Sequence, residues 1–429
     1  MEHADLIIEN CGELITVAGA SGRPKSGRSL DGVGVIRDGA VAVRRGRIAW
    51  AGGSSELREH VSPGRGTKTI DASGKVVMPG FVDCHTHLVF GGSREDEWLR
   101  KLGGEGYLEI LKENGGILST VRATRRATAD ALIKRAMRHL GGMLAHGTTT
   151  SEVKSGYGLT IKDEIKILRA VKELGEMQPV GLVPTFMGAH AVPAEFGSAA
   201  EYAKFVADRM VPEIARLKLA KYCDVFCEES AFSPSESRVV LESGRLHGLI
   251  PRMHSNEFND IGGTAVARDV RPASIDHLDV LSRSAIADVK ASGAIAVLLP
   301  GIRFFLGDFA GRSTNGKRLI SAGVPIAIAT DFNPGTCFCY SIPMMLSLAC
   351  IQMGLSPEQA INAATINAAH SLGLSDQVGS IEAGKQADLI ILGIENHRQL
   401  PYWAGMNPVE TVVKAGRIAS SAPAMPNRR

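Results

Sequence analysis

The stretch Pro79-Gly80-Phe81-Val82-Asp83-Cys84-His85-Thr86-His87 sets two imidazoles two residues apart. Alternation along a strand directs such residues to one side, where His85 and His87 can share a metal ion. With 12 histidines in 429 residues, chance supplies about 0.3 such pairs, so a turn-adjacent pair with no ligand explains the spacing equally well. Position tips the balance, because the pair closes the first of a series of βα units, the end at which a barrel gathers its catalytic groups. His254 follows Leu249-Ile250-Pro251-Arg252-Met253, and Asp331 follows Val324-Pro325-Ile326-Ala327-Ile328-Ala329-Thr330. An aspartate directly after an apolar run is costly to bury alone, so it must face a cation or a strong donor. Three imidazoles and one carboxylate suit zinc or iron, since mixed nitrogen and oxygen ligation disfavours magnesium and needs no thiolate.

Such ligands need elements that bring them together. From Lys75 onward, apolar strand candidates alternate with longer helical patterns, the mark of βα units and a parallel sheet. Eight strands end near His87, Lys154, His190, Glu228, His254, His277, Pro300 and Asp331, with helical patterns at Asp163 to Leu174, Ala199 to Leu217 and Ser282 to Ala291. Ser356, Pro357 and Gln359 have the spacing of a capping box with proline in the first turn. Eight units over residues 76–377 predict an α/β (β/α)8 TIM barrel rather than an open doubly wound sheet. Residues 1–75 carry shorter β-like segments, Leu6 to Glu9, Glu13 to Val17, Val41 to Val43 and Ile48 to Ala51. The β pattern returns at Ala387 to Leu392 and Val409 to Ile418, and Lys414-Ala415-Gly416-Arg417-Ile418-Ala419 echoes Arg45-Gly46-Arg47-Ile48-Ala49. The expectation is a small β-sandwich-like domain built from residues 1–75 and 378–420, followed by a flexible tail at 421–429.

Composition narrows the partners. A formal charge of +3, from 48 basic and 45 acidic side chains, gives no reason to expect nucleic acid or a membrane surface. Hydrophobic residues at 44% and charged residues at 22% are those of an ordinary globular chain, which excludes wholesale disorder. Seven irregularly spaced cysteines read as reduced thiols rather than a disulfide framework. No signal-peptide pattern is visible, and the most apolar windows, Ala294 to Pro300 and Val324 to Ala329, fall far short of the roughly 18 residues that span a bilayer. The expectation is a cytoplasmic protein acting on a small molecule.

The set formed by the His85–His87 motif, His254, His277 and Asp331 resembles the amidohydrolase superfamily of metal-dependent barrels. More narrowly, the chain is similar to the imidazolonepropionase family of cyclic amidohydrolases. The stretches that carry this likeness are His87 to Glu95, Gly115 to Thr120, Gly147 to Gly158, Phe186 to His190, Ala296 to Gly301 and Thr330 to Gly335. The resemblance implies one metal held by His85, His87, His254 and Asp331, with Glu257, His277 and Asp331 as the acid/base groups. It implies that Arg94, Tyr107, Tyr157, His190 and Glu257 hold the substrate, and that Asn333, Gly335 and Thr336 form a loop touching substrate or product. The implied reaction opens 4-imidazolone-5-propanoate with water to give N-formimino-L-glutamate, in histidine degradation. Arg94 fits that chemistry, because a guanidinium grips a carboxylate bidentately. Outside this context, Arg94 reads as surface solvation beside Glu95 and Asp96, Glu257 as a solvated loop acid, and His190 as a structural histidine.

Some positions depart from the family pattern. Asn256 stands where many relatives carry an aspartate, which would alter the bonding near His254. Cys337 and Cys339 follow the Asn333–Thr336 loop without an assigned role. The fourth strand closes on Phe226-Cys227-Glu228-Glu229, with no lysine to bridge a second metal, which points to one ion per chain. The family likeness also implies a homodimer. Two other readings compete: a purine or pyrimidine aminohydrolase of the same superfamily, which would need no anion grip, and an inactive barrel serving as a scaffold, which would be expected to lack ligands.

Overall fold

The computed structural model describes residues 2–105, 115–307 and 313–421. Five strands come first: β1 (Glu2–Ile15), β2 (Val35–Arg44), β3 (Arg47–Gly53), β4 (Val61–Asp71) and β5 (Val76–Pro79). Only Gly80 separates β5 from β6 (Phe81–Asp83), which starts the parallel series. That series continues with β7 (Thr148–Lys154), β8 (Gly181–Ala189), β9 (Tyr222–Cys227), β10 (Ile250–Pro251), β11 (Met253–Ser255), β12 (Ser274–His277), β13 (Ile295–Leu298) and β14 (Ile326–Ile328). Neighbours pair in the order β14-β13-β12-β11-β9-β8-β7-β6, and β10 pairs with β9. β10 and β11 are one barrel strand interrupted at Arg252, so eight strands surround the axis.

The last strand returns to the first. Asp331 N donates to His85 O at 3.0 Å, His87 N donates to Phe332 O at 2.9 Å, and Thr86 and Phe332 form a parallel bridge. Just below, Thr330 gives Asp83 two hydrogen bonds, from N at 3.1 Å and from Oγ1 at 2.7 Å. This is a (β/α)8 barrel with an added β-rich unit. Strands β13 and β14 are buried at every position, as parallel strands with both faces covered must be. Ser282 and Ser356 accept from the N3 amides of the helices they precede, and the Ser356–Gln359 capping box is complete.

Two elements differ from the sequence pattern for identifiable reasons. The helical stretch from Ala199 is broken by a π turn at Val206–Met210, where Val211 N reaches back five residues to Val206 O. Pro212 has no N–H to offer Asp208 O, and the wider turn absorbs that loss. The segments Leu6 to Glu9 and Glu13 to Val17 belong largely to one strand, β1, which bulges at Asn10, a residue that tolerates its φ of 59°.

The chain closes with β15 (Leu389–Leu392), β16 (Val409–Lys414) and β17 (Arg417–Ser421). They extend the first sheet, whose order is β17-β16-β15-β5-β1-β2-β3 with β4 also on β1, so both ends of the chain share it. The echo between Arg45-Gly46 and Ala415-Gly416 is a repeated turn. All four residues have positive φ, the two-residue hairpin whose twist suits flanking strands. The two turns pack on each other so closely that a Cβ on Gly416 would lie 2.9 Å from Gly46 Cα.

Candidate active site

His85 and His87 lie just past β6, His254 on β11, and Asp331 three residues past β14. The barrel brings all four together. His85 Nε2 lies 3.2 Å and His87 Nε2 3.6 Å from Asp331 Oδ1, while His254 Nε2 and His87 Nε2 face each other at 3.5 Å. A tetrahedral zinc site with bonds of ~2.0–2.1 Å has ligand atoms roughly 3.3–3.4 Å apart, so these separations fit one ion. His85 Nε2 is also buried with no hydrogen-bond partner, an orphan that a cation would satisfy. Burial pushes His85, His87 and His254 well below the usual imidazole pKa, which keeps them neutral donors.

Beneath this cluster lies a network of buried charge. His85 Nδ1 donates to Asp276 Oδ2 at 2.7 Å and His254 Nδ1 to Asp224 Oδ1 at 3.1 Å, which leaves both Nε2 lone pairs aimed at the site. Lys154 Nζ sits among the carboxylates, 2.6 Å from Asp224, 2.9 Å from Glu152 and 3.3 Å from Asp276. Arg252 Nε adds a contact of 3.0 Å to Glu152. All five side chains are buried. Sequence reasoning passed over them, although Glu152 and Lys154 stand two apart on a strand and therefore share one face, a pattern that marks a polar barrel interior.

The acid/base groups lie at the neighbouring strand ends. Glu257 Oε2 is 3.6 Å from His277 Nδ1. Burial, and then Asp331, push the Glu257 carboxyl well above the ordinary glutamate value, which favours its protonated form. Burial takes His277 down to about 3, and neither of its ring nitrogens has a partner. Burial also raises Asp331, while the Asn333 hydrogen bond lowers it; a cation alongside would favour its ionised form. Asn256, His277 and Asp331 all have positive φ, at 60°, 78° and 49°. Such strain costs about 1–3 kcal/mol per residue and gathers where a site demands it. Asn256 is suited to its place. Its Nδ2 donates to Val280 O at 2.9 Å, which an aspartate could not do, and its side chain accepts from Ser255 at 2.6 Å.

The same pocket is lined by His87, Arg94, Tyr157, His190, His254, Glu257, His277, Asp331, Asn333 and Thr336. His85 lies beneath it, and Gly335 lines an adjoining hollow together with Arg94. Tyr107 lies outside the described residues. His190 stacks on His87 with ring centroids 4.8 Å apart and donates from Nδ1 to Gly156 O. Two glutamates hold the surrounding loops: Glu164, which the sequence did not single out, and Glu228, which it marked only as the end of the fourth strand. Glu164 accepts from the amides of Gly156, Gly158 and Leu159 around Tyr157. Glu228 accepts from Phe258 N and Asn259 N, beside Glu257. No cysteine joins a metal-competent cluster among the described residues.

Two profiles described as the amidohydrolase family match, at residues 68–118 and 310–419. The chain is 45% identical over 415 residues to the imidazolonepropionase of Shouchella clausii (strain KSM-K16), covering 96% of this chain and 92% of that protein. It is 44% identical to the imidazolonepropionase of Geobacillus kaustophilus (strain HTA426), covering 96% and 97%. In fold it is similar to a zinc-bound adenosine deaminase from Xanthomonas campestris, at a TM-score of 0.68 and 20% identity over 99% of this chain and 95% of the other. A triazine hydrolase variant aligns at a TM-score of 0.73 and 16% identity, over 96% and 94%. Family and cluster together support a divalent metal cofactor. No helix among the described residues is long and apolar enough to cross a membrane.

Proposed function

The chain belongs to the imidazolonepropionase family of amidohydrolases, and we propose from this how its pocket opens the cyclic amide of 4-imidazolone-5-propanoate to give N-formimino-L-glutamate. The observation that carries the reading is the convergence of His85, His87, His254 and Asp331 at separations that suit one ion, beside the Glu257 carboxyl and His277. In this proposal the three Nε2 atoms and the Asp331 carboxylate hold zinc or iron. When bound, that ion supplies Lewis-acid polarisation and makes water acidic enough to ionise near neutral pH.

The chain's own groups then divide the work. Asp331 accepts a proton from the attacking water. Neutral His277, with no competing hydrogen bond, donates to the ring carbonyl oxygen as negative charge grows there. Glu257 delivers its proton to the departing ring nitrogen as the C–N bond breaks, and a transfer from Asp331 restores both groups. Arg94, 7% exposed on its side chain, grips the propionate at the far end, with Tyr157, Asn333 and Thr336 nearby. His190, taken down to about 4 by burial, is a neutral wall and acceptor rather than a second cation.

The test is to follow imidazolonepropionate absorbance and the appearance of formiminoglutamate with purified, metal-analysed protein. Ammonia release from a nucleobase without any loss of that absorbance would overturn the reading. The seven free cysteines suit a reducing cytoplasm, and the family likeness suggests a homodimer; fractionation and light scattering test these two points.

A further inference from the structure

The motif Gly115 to Thr120 carries part of the family likeness, yet none of its residues has a place in the chemistry above. Its position explains it. Glu97, in the helix Glu95–Leu102, spends one carboxylate oxygen on Arg94 and the other on this motif. Oε2 accepts from Arg94 Nε at 2.8 Å, while Oε1 accepts from Gly116 N at 3.0 Å and Ser119 Oγ at 3.0 Å. The single Ser119 hydroxyl proton is shared between Glu97 Oε1 and Gly116 O, the latter at 2.8 Å, and Gly116 adopts φ 67° and ψ −153°, a conformation open essentially to glycine alone.

An arginine can present two edges to a carboxylate: Nε with one terminal nitrogen, or both terminal nitrogens together. Glu97 occupies the first edge. The second stays available, since among the described residues Arg94 donates a hydrogen bond only through Nε. It is also confined from the far side. A Cβ built on Gly335 would lie 2.0 Å from Arg94 Nη1, so glycine at 335 is what makes room for the guanidinium. Ile117 and Leu118, next to the residues that hold Glu97, line the pocket.

We propose that Glu97 is a positioning residue that fixes Arg94 to bind the substrate carboxylate through its two terminal nitrogens, with Gly116 and Ser119 anchoring Glu97 for that task. The proposal rests on Arg94 being the anion grip. It makes the selectivity for a carboxylate-bearing substrate depend on a side chain that itself never touches substrate. A flexible arginine pays rotamer entropy on binding, and one held from behind has already lost it.

The experiment compares two competitive inhibitors, imidazole-4-propanoate and its neutral primary amide, on the metal-loaded wild type and on Arg94→Ala, Glu97→Gln and Ser119→Ala. Far-UV circular dichroism and Tm are measured alongside. Wild type is expected to favour the carboxylate, and Arg94→Ala to abolish that preference. Glu97→Gln should lower the preference by about tenfold with amide affinity unchanged, and Ser119→Ala should lower it less, in the same direction. If Glu97→Gln does not fold, the Ser119→Ala shift alone decides. Equal weakening of both inhibitors would make Glu97 merely structural and overturn the proposal, as would a preference left intact in both indirect variants while Arg94→Ala loses it. A preference that survives Arg94→Ala would remove the anion grip itself, a separate failure that points back to the function.

Discussion

His87 Nε2 and His254 Nε2 point at each other across 3.5 Å, in the interior of a barrel where burial keeps both rings neutral. Two such nitrogens, with the Asp331 carboxylate alongside, are arranged to be joined by a cation. Chelation should therefore abolish turnover, and adding back a divalent metal should restore it. Because a ligand that binds only the native state stabilises it by about 2.7 kcal/mol at a hundred times its Kd, Tm should fall with the metal and return with it. Activity retained by protein shown to be metal-free would end the metal mechanism.

Asp331→Asn should reduce kcat by roughly a thousandfold or more, because it removes a ligand and a proton acceptor in one step. The circular dichroism spectrum should be unchanged. Near-normal turnover in this variant would take Asp331 out of the reaction.

Arg94→Ala should raise KM about tenfold to a hundredfold, the loss expected for charge-assisted hydrogen bonds to a carboxylate, with a smaller effect on kcat. Steady-state kinetics read this directly. An unchanged KM would return Arg94 to an ordinary surface role.

Lys154→Met leaves Glu152, Asp224 and Asp276 buried with Arg252 as their remaining cation. Removing one partner of a buried ion network typically costs about 3–5 kcal/mol, measurable by urea unfolding. Metal content should fall as well, because Asp224 and Asp276 orient two of the ligand histidines. A variant with wild-type stability and full metal occupancy would show that the lysine is dispensable.

Acid should loosen contacts of the chain ends, with the barrel through Glu358 and with each other through Glu382. Burial alone would raise Glu358 and Glu382, but hydrogen bonds outweigh it, Arg398 foremost for Glu358, and Ser380 with Ser21 and Lys385 for Glu382, and bring both down to about 2. The unfolded chain then binds protons first, near its ordinary value of 4.5, so stability rises with pH through this window. The contribution is complete above about pH 4.5 and is lost as pH falls towards 2. Equilibrium unfolding from pH 6 to pH 3 on Glu358→Gln against wild type checks it: the variant should show a shallower acid slope.

The metal cluster was legible because its residues stand at strand ends that repeat along the chain, and a barrel turns such repetition into proximity. The charged floor was not. Lys154, Asp224 and Asp276 come from three separate strands, and the local Glu152–Lys154 pair does not by itself reveal that the ammonium will sit among three carboxylates. The glutamates that hold loops, Glu164 and Glu228, were hidden for another reason: they act on backbone amides, whose positions carry no side-chain signature. Asn256, expected from the resemblance to be an aspartate, has a physical basis for its amide in its positive φ and its donor to Val280.

The seam between the first and last barrel strands places His85 and His87 near one end of the chain and Asp331 almost 250 residues later, bonded backbone to backbone. During synthesis, the early histidines leave the ribosome long before the aspartate exists. Translation at about 5–20 residues per second puts tens of seconds between them. Throughout that interval the nascent chain holds an incomplete set of the proposed metal ligands and an open edge on β6. The proposed ligand set is complete only when the barrel shuts, so metal uptake would report the completion of the fold.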